Sequence, residues 1–454
     1  AGGIYSKPAL DRSGRRQMSV ETDEKLALGL PESPEAIAEI QRARKPIAFE
    51  NARRAKFWKG KLDHINPAKL NDPEEWAKIP IMDKDQLREL STEEFYEDFC
   101  TAKQEDICEY WRSGGSTGRP LFYPKTYEDI RYNMVGFART YDCTGTLPGN
   151  LAHIAFPLGI HPAGHMWARA ARLMGIGAVW GGSGAALPST VQLDLIQSLK
   201  PTVFMGMSSY GLHLANLAAS QGIDLPGGSV DRILCTAEPV SAAKRARLSR
   251  DWGAEVYDCF GMTECSMMGA ESEERDGFHI WTDLAFIEVL DEETMKPVGE
   301  GEPGVLVMTP LFSNNGAAFL RWNSGDIVTW QKQGLTKSGY SVFPILRHAH
   351  RTAGFFKIRG VNINHQEYED FLFDIPEVND FKAELVTSED GTDGFALSIE
   401  VRPGADTDAV SDKVGEMIRH TFEVRPVVSV LALGTLAKEF ESSVKAPRFV
   451  DKRQ

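Results

Sequence analysis

The stretch of this sequence best suited to chemistry by its composition is Ser113-Gly114-Gly115-Ser116-Thr117-Gly118-Arg119. Glycines at 114, 115 and 118 let the backbone come close to a ligand and turn several N–H groups the same way, while Ser113, Ser116 and Thr117 add hydroxyl donors. Arg119 adds fixed positive charge. Such a concavity suits a polyphosphate. A Gly/Ser-rich loop taken alone is more often a plain turn, so its neighbours have to decide.

Three named motifs compete here and are separable by residue type. No Gly-Lys-Ser/Thr follows the glycines at the spacing of a Walker loop. Gly114-Gly115-Ser116-Thr117-Gly118 matches a hydrolase nucleophile elbow in form, but that elbow must run from a strand straight into a helix, and Pro120 followed by the β-like Leu121-Phe122-Tyr123 argues against one. A hydrolase would show ATP-independent esterase activity that Ser116→Ala abolishes. Gly299-Glu300-Gly301-Glu302-Pro303-Gly304 fits a dinucleotide fingerprint in letters only, because Pro303 and the strand-like Val305 to Met308 mark a turn between strands.

Read with Arg112 and Pro120, the loop resembles the phosphate loop of the adenylate-forming superfamily (acyl-coenzyme A synthetases, peptide-synthetase adenylation domains and luciferases), with Arg119 in place of the usual lysine. Further segments come in that superfamily's order: Ala237-Glu238-Pro239; Tyr257-Asp258-Cys259-Phe260-Gly261-Met262-Thr263-Glu264; Arg321-Trp322-Asn323-Ser324-Gly325-Asp326; Arg351 through Glu369; and Lys445-Ala446-Pro447-Arg448. The match covers residues 112–453, and Gly277-Phe278-His279-Ile280, Arg359-Gly360-Val361-Asn362 and Val450-Asp451-Lys452-Arg453 are closest to the phenylacetate–coenzyme A ligase branch. The first hundred or so residues match loosely.

The resemblance implies an acid–thiol ligase that uses ATP, Mg²⁺ and coenzyme A, first joining a carboxylate to AMP with loss of pyrophosphate and then forming the thioester. Two anions must meet in the first step, so cations and donors are needed where charge builds up. By the same resemblance Lys445 would bridge carboxylate and α-phosphate, Thr263 would face that phosphate, and Glu264 would help hold Mg²⁺ through hard oxygen. Glu238, Pro239, Asp258, Cys259, Phe260, Gly261 and Met262 would line the nucleotide pocket, Phe260 offering adenine an aromatic face. Asp326 would accept the ribose hydroxyls with Arg351 nearby, and Arg359 and Gly360 would face the pantetheine arm in the thioester step. A neighbouring reading keeps the first step but hands the acyl group to a carrier protein or an amine; a third keeps only nucleotide binding.

Departures from the branch are informative. Ala353 and Gly354 stand where relatives often have Asp, the first at the usual hinge. Glu271-Ser272-Glu273-Glu274 and His348-Ala349-His350 replace the cysteines of zinc-bearing relatives, so no structural zinc is expected although His279 remains. His161/His165 and His348/His350 are spaced like metal ligands but lack partners, which favours surface or core histidines. Ala155 to His161 replaces the glycine-rich wall of the phenylacetate pocket; with Phe156, His161, Met207, Ser208 and Tyr210 as pocket candidates, the expected acid is aromatic or otherwise apolar with one polar substituent, and not phenylacetate itself.

These groups need a scaffold, and 454 residues with 42% hydrophobic and 25% charged content suffice for several domains. The sequence predicts an α/β fold: a helical N-terminal segment (1–105) packed on a large adenylate-forming core (106–351) of α/β sheets plus a small β subdomain, then a mobile α+β C-terminal domain (352–454). Residues 33–58 read as a helix with Ile37, Ile40, Ala43 and Ile47 on its apolar side and a break or kink at Pro46. A net charge of −14 argues against nucleic acid and anionic membranes as partners. Six scattered cysteines without a Cys-x-x-Cys pair, and no signal-peptide pattern or membrane span, suggest a cytoplasmic protein. A homodimer through the N-terminal helices is the family expectation.

Overall fold

The computed structural model describes residues 29–112, 121–351, 355–358, 361–387, 393–440 and 448–453. Strands β1 (Ile107–Arg112) and β2 (Phe122–Thr126) pair antiparallel on either side of the glycine-rich segment. The chain therefore leaves that segment as a strand, as Leu121-Phe122-Tyr123 implied, and the next helix waits until Tyr127–Cys143. A nucleophile elbow does not fit this order.

Strands β3 (Leu151–Ile154), β4 (Gly177–Trp180), β5 (Val203–Gly206), β6 (Arg232–Cys235) and β7 (Glu255–Met262) lie parallel in the order β4-β3-β5-β6-β7. The helices Pro162–Leu173, Ser189–Leu199, Ser208–Ser220 and Ala242–Trp252 connect them in turn. Helices on the faces bury the central strands β5 and β6 on both sides, which is why Val203-Phe204-Met205 and Ile233-Leu234-Cys235 read as unbroken apolar runs.

At β7 the sheet changes character without ending. β8 (Ser266–Glu271), β9 (Phe278–Ile280), β10 (Ala285–Leu290), β11 (Gly304–Pro310), β12 (Trp322–Gln331) and β13 (Ile345–Arg351) continue it antiparallel in the order β7-β8-β9-β13-β12-β11-β10. The α/β region and the small β subdomain expected from the sequence thus share one eleven-stranded sheet. The 299–304 segment joins the antiparallel neighbours β10 and β11, a turn as expected.

In the C-terminal part, β14 (Phe355–Ile358) pairs with β15 (Val361–Asn364), and β16 (Val378–Thr387), β17 (Asp393–Val401), β18 (Val427–Leu431) and β19 (Phe449–Asp451) form a sheet in the order β18-β17-β16-β19. Helices His365–Phe373 and Thr407–Phe422 accompany it. One buried apolar cluster contains both Leu212, Leu225 and Leu248 of the parallel half and Tyr368, Leu372 and Phe381 of this unit.

The N-terminal helix corrects two expectations. It runs from Pro34 to Arg53 through Pro46 without a break, and its buried face is Ile37, Lys45, Ala48, Phe49 and Ala52, while Ala43 and Ile47 are exposed. Pro46 cannot donate to the Arg42 carbonyl one turn back, but the Asn71 side-chain amide donates to it instead at 3.2 Å, so the group that proline orphans has a partner. Phe49 and Ala52 join Trp58, Trp76, Tyr123, Phe319 and Trp322 in a core that binds this segment to β2 and the β-rich half. Among the described residues no helix is long and apolar enough to cross a membrane.

Candidate active site

In a parallel sheet with helical crossovers, ligands bind beyond the carboxyl ends of the strands. Pocket and nucleotide candidates sit there: Phe156 just after β3, Met207 and Ser208 just after β5, Glu238 and Pro239 just after β6, and Thr263 and Glu264 just after β7. Ala237 holds φ of +73°, a conformation that costs a non-glycine residue about 1 kcal/mol. The turn it makes returns Glu238 to the start of the next helix over, where its carboxylate accepts from Ser208 Oγ at 2.6 Å and from the Ser209 backbone N–H. Burial pushes the Glu238 carboxyl up, but the Lys244 charge and these hydrogen bonds outweigh it and hold the carboxyl below its ordinary range.

Around β7 the aromatic and ribose candidates come together. Phe260 stacks on Phe278 at 5.4 Å between centroids and meets the His348 ring edge-on at 6.4 Å. His348 Nε2 lies 3.2 Å from Asp326 Oδ1, and the β12–β13 register sets Asp326 opposite Arg351. Asp326 lies in a bulge, since Val305 pairs with Ile327 but Val307 pairs with Asn323, leaving three residues of β12 against one of β11. Asn323 Oδ1 accepts from the Gly325 N–H and Ser324 Oγ from the Asp326 N–H, and Gly325 supplies φ of +74°. The Asn-Ser-Gly-Asp run is thus the shape code for re-aiming one carboxylate. Arg321 anchors its base, forking onto Glu288 at 2.9 and 3.0 Å and donating to the Ala77 and Ile79 carbonyls.

Gly261 allows β7 and β8 to close, because a Cβ there would lie 2.7 Å from the Ser266 carbonyl oxygen. In the tight turn after β7, Glu264 is buried and accepts from the Tyr123 hydroxyl at 3.0 Å. Lys125 Nζ, also buried, lies 3.4 Å from the Glu264 carbonyl oxygen and 4.9 Å from the centre of the Trp111 ring. Burial pushes this amine below its ordinary range. A carboxylate with hard oxygens, fixed by a tyrosine, is a donor of the type Mg²⁺ takes. Asp258 is buried behind this turn, and burial together with the Glu271 carboxylate pushes its carboxyl well up against the pull of Arg245. Its Oδ1 accepts from the Cys259 N–H at 2.9 Å, and burial likewise raises the Cys259 thiol.

The acid-pocket candidates divide. Phe156 and Met207 are buried in the core with Trp167, and Ser208 spends its hydroxyl on Glu238. Tyr210 is half-buried and its hydroxyl meets Ser189 Oγ at 2.9 Å, which in turn meets His213 Nε2 at 3.0 Å. His161 is half-buried at the start of helix Pro162–Leu173, its imidazole pushed down by burial and by Arg112. His279 sits against Ser272 Oγ at 3.1 Å. Ser113, Gly114, Gly115, Ser116, Thr117, Gly118, Arg119, Arg359, Gly360 and Lys445, the hinge positions Ala353 and Gly354, and the Arg351 side chain lie outside the described residues. Sequence reasoning misses Tyr123, Lys125 and His348. The first two alternate along the strand after the glycine-rich loop, a signal that was there to be used; the third shows in the sequence only as a spacing of histidines.

The chain is similar to known proteins over most of its length. The model of the AMP-binding enzyme family matches residues 47–310. The phenylacetate–coenzyme A ligase of Thermus thermophilus is 28% identical over 379 residues, covering 82% of each chain, and that of Escherichia coli K12 is 24% identical over 361 residues, covering 78% of this chain and 79% of its own. A crystal structure of 2-hydroxyisobutyryl-CoA ligase in the postadenylation state with 2-HIB-AMP superimposes with a TM-score of 0.79 at 24% identity, covering 92% of this chain and 89% of that one. The same ligase with 2-HIB-AMP and CoA in the thioesterification state gives 0.65 at 23% identity, covering 100% and 97%. With the family model spanning more than half its length, this chain belongs to the AMP-binding enzyme family, and the curated relatives it is similar to are phenylacetate–coenzyme A ligases.

Proposed function

We propose that the protein activates a carboxylic acid as its acyl-adenylate, releasing pyrophosphate, and then transfers the acyl group to coenzyme A. The observation that carries this reading is the grouping of Phe260 of β7, Asp326 of β12 and His348 of β13 beside the turn after β7 that holds Glu264. Adenine would lie against Phe260, and the ribose diol would donate to Asp326, oriented by His348. Thr263 would face the α-phosphate. Glu264, fixed by Tyr123, would hold Mg²⁺, whose charge offsets that of the phosphates. Ser113 to Arg119 would grip the pyrophosphate end, and Lys445 would neutralise the charge that grows as carboxylate oxygen bonds to α-phosphorus and the bond to pyrophosphate breaks.

For the second step, residues 352–454 would turn as a unit about Ala353 so that Arg359 and Gly360 meet the thiol arm. The higher similarity to the postadenylation form, 0.79 against 0.65, supports assigning the docked arrangement to the adenylate stage. Similarity to phenylacetate ligases supports an aromatic acid; the Tyr210–Ser189–His213 group favours one with a polar substituent. A pyrophosphate-release screen over aryl, fatty and hydroxylated acids, with product analysis using coenzyme A, a phosphopantetheinylated carrier protein and amines, tests it. An adenylate that coenzyme A never captures overturns the assignment of the acceptor.

A further inference from the structure

Beyond the motifs, a series of charges of alternating sign runs from the nucleotide half of the molecule into the C-terminal sheet. Lys244, on helix Ala242–Trp252, places Nζ 2.8 Å from Glu369 Oε2 of helix His365–Phe373. The other Glu369 oxygen is 3.8 Å from Arg448, which forks onto Asp380 of β16 at 2.9 and 3.2 Å. Side-chain exposures are 5% for Lys244, 14% for Glu369 and 2% for both Arg448 and Asp380. Burial acts to lower the Lys244 ammonium, but the charges of Glu369 and of Glu238 in the Ala-Glu-Pro segment hold it above its ordinary range.

Buried ion pairs are a poor source of stability compared with apolar packing of the same volume, but removing one partner leaves an uncompensated charge and costs several kcal/mol. What such a series supplies is register. The apolar contacts at this interface are non-directional, whereas each charge here meets its opposite in one orientation only, and on separation each can be rehydrated. An ionic seam therefore suits two units that must dock firmly and part again. Glu238, whose hydrogen bonds join the segment after β6 to helix Ser208–Ser220, lies within the field of the same ammonium.

We propose that Lys244 is a positioning residue for the adenylation step: paired with Glu369, it holds the C-terminal unit docked on the nucleotide-binding half. This deepens the two-step reading of the function and rests on it. The tests are Lys244→Met, which keeps the stem, Glu369→Gln from the other side of the seam, and Lys244→Arg, which keeps the charge. Acid-dependent pyrophosphate–ATP exchange reports the first step and coenzyme A capture of supplied acyl-adenylate the second. Amide hydrogen exchange of helix His365–Phe373 without any substrate reports docking alone.

Lys244→Met and Glu369→Gln should each lower exchange on the order of 10- to 100-fold, leave capture within about threefold of wild type, and expose the helix amides, while Lys244→Arg restores most of the exchange. β5 and β6 amides should stay protected, which separates undocking from unfolding. Equal losses in both half-reactions, or wild-type protection of the helix in Glu369→Gln, overturn the proposal. If the wild type exchanges with no acid at all, the functional reading fails, and the hydrogen-exchange result still decides whether the seam holds the docked state.

Discussion

Tyr123→Phe isolates one contact on which the proposed role of Glu264 depends. The Tyr123 ring is fully buried, edge-on to Phe319 at 5.2 Å and 5.9 Å from the Phe95 centroid, so phenylalanine fills the same space without repacking. What goes is the hydroxyl that donates 3.0 Å to Glu264 Oε1, leaving a buried carboxylate oxygen short of a donor. Such a loss costs about 1.5–3 kcal/mol when the acceptor is charged, or roughly 10- to 150-fold in whatever depends on the carboxylate's position. If Glu264 holds Mg²⁺ on the triphosphate, the loss falls on metal–nucleotide binding. The assay is acid-dependent exchange titrated with MgCl₂ at fixed ATP, then with the acid at saturating Mg–ATP. We expect the half-saturating magnesium concentration to rise at least tenfold and the KM for the acid to hold within twofold. An unchanged magnesium requirement, or a rise confined to the acid, refutes the assignment of Glu264.

Other outcomes depend on particular contacts. Asp326→Asn removes the charge that would strengthen hydrogen bonds from the ribose, so the KM for ATP should rise about 10- to 100-fold with little change in the KM for the acid; initial rates against each substrate decide. Ser208→Ala deletes the 2.6 Å contact to Glu238 and should weaken ATP binding by about 1 kcal/mol, measurable by calorimetry. Lys45, buried over the Trp76 and Phe286 rings, has its ammonium pushed down to about 8 by burial. Because the folded value is depressed, the penalty is full below pH 8 and fades as pH rises toward the ordinary 10.5, a gap worth about 3 kcal/mol. Lys45→Met should therefore be more stable than wild type in urea at pH 7 by about 1–3 kcal/mol, with the advantage shrinking by pH 10; a constant difference contradicts the origin given.

Much of this site is legible in the sequence because its segments are local shape codes. Asn323-Ser324-Gly325-Asp326 makes a bulge with its own side chains, and Gly261 permits a close strand approach that other residues would block. Strands such as Arg232–Cys235 announce themselves as unbroken apolar runs. The illegible part depends on partners distant in sequence. The helix through Pro46 needs Asn71 to take the orphaned carbonyl, and its buried face is turned away from the expected one because Lys45 finds two aromatic rings. His348 becomes part of the site only through the β12–β13 register, and Lys244 reaches Glu369 across two units. Continuity of the eleven-stranded sheet likewise lies in pairings that periodicity does not encode.

In the proposed reaction a carboxylate is joined to AMP before any thiol takes part, with Lys445 promoting that step. Radiolabelled pyrophosphate exchange into ATP, measured with the best acid from the screen and no coenzyme A, tests it most directly. Exchange should require the acid and fall by orders of magnitude in Lys445→Ala, while that variant still passes adenylate supplied ready-made to coenzyme A. Exchange that proceeds without acid, or that Lys445→Ala leaves intact, would contradict it.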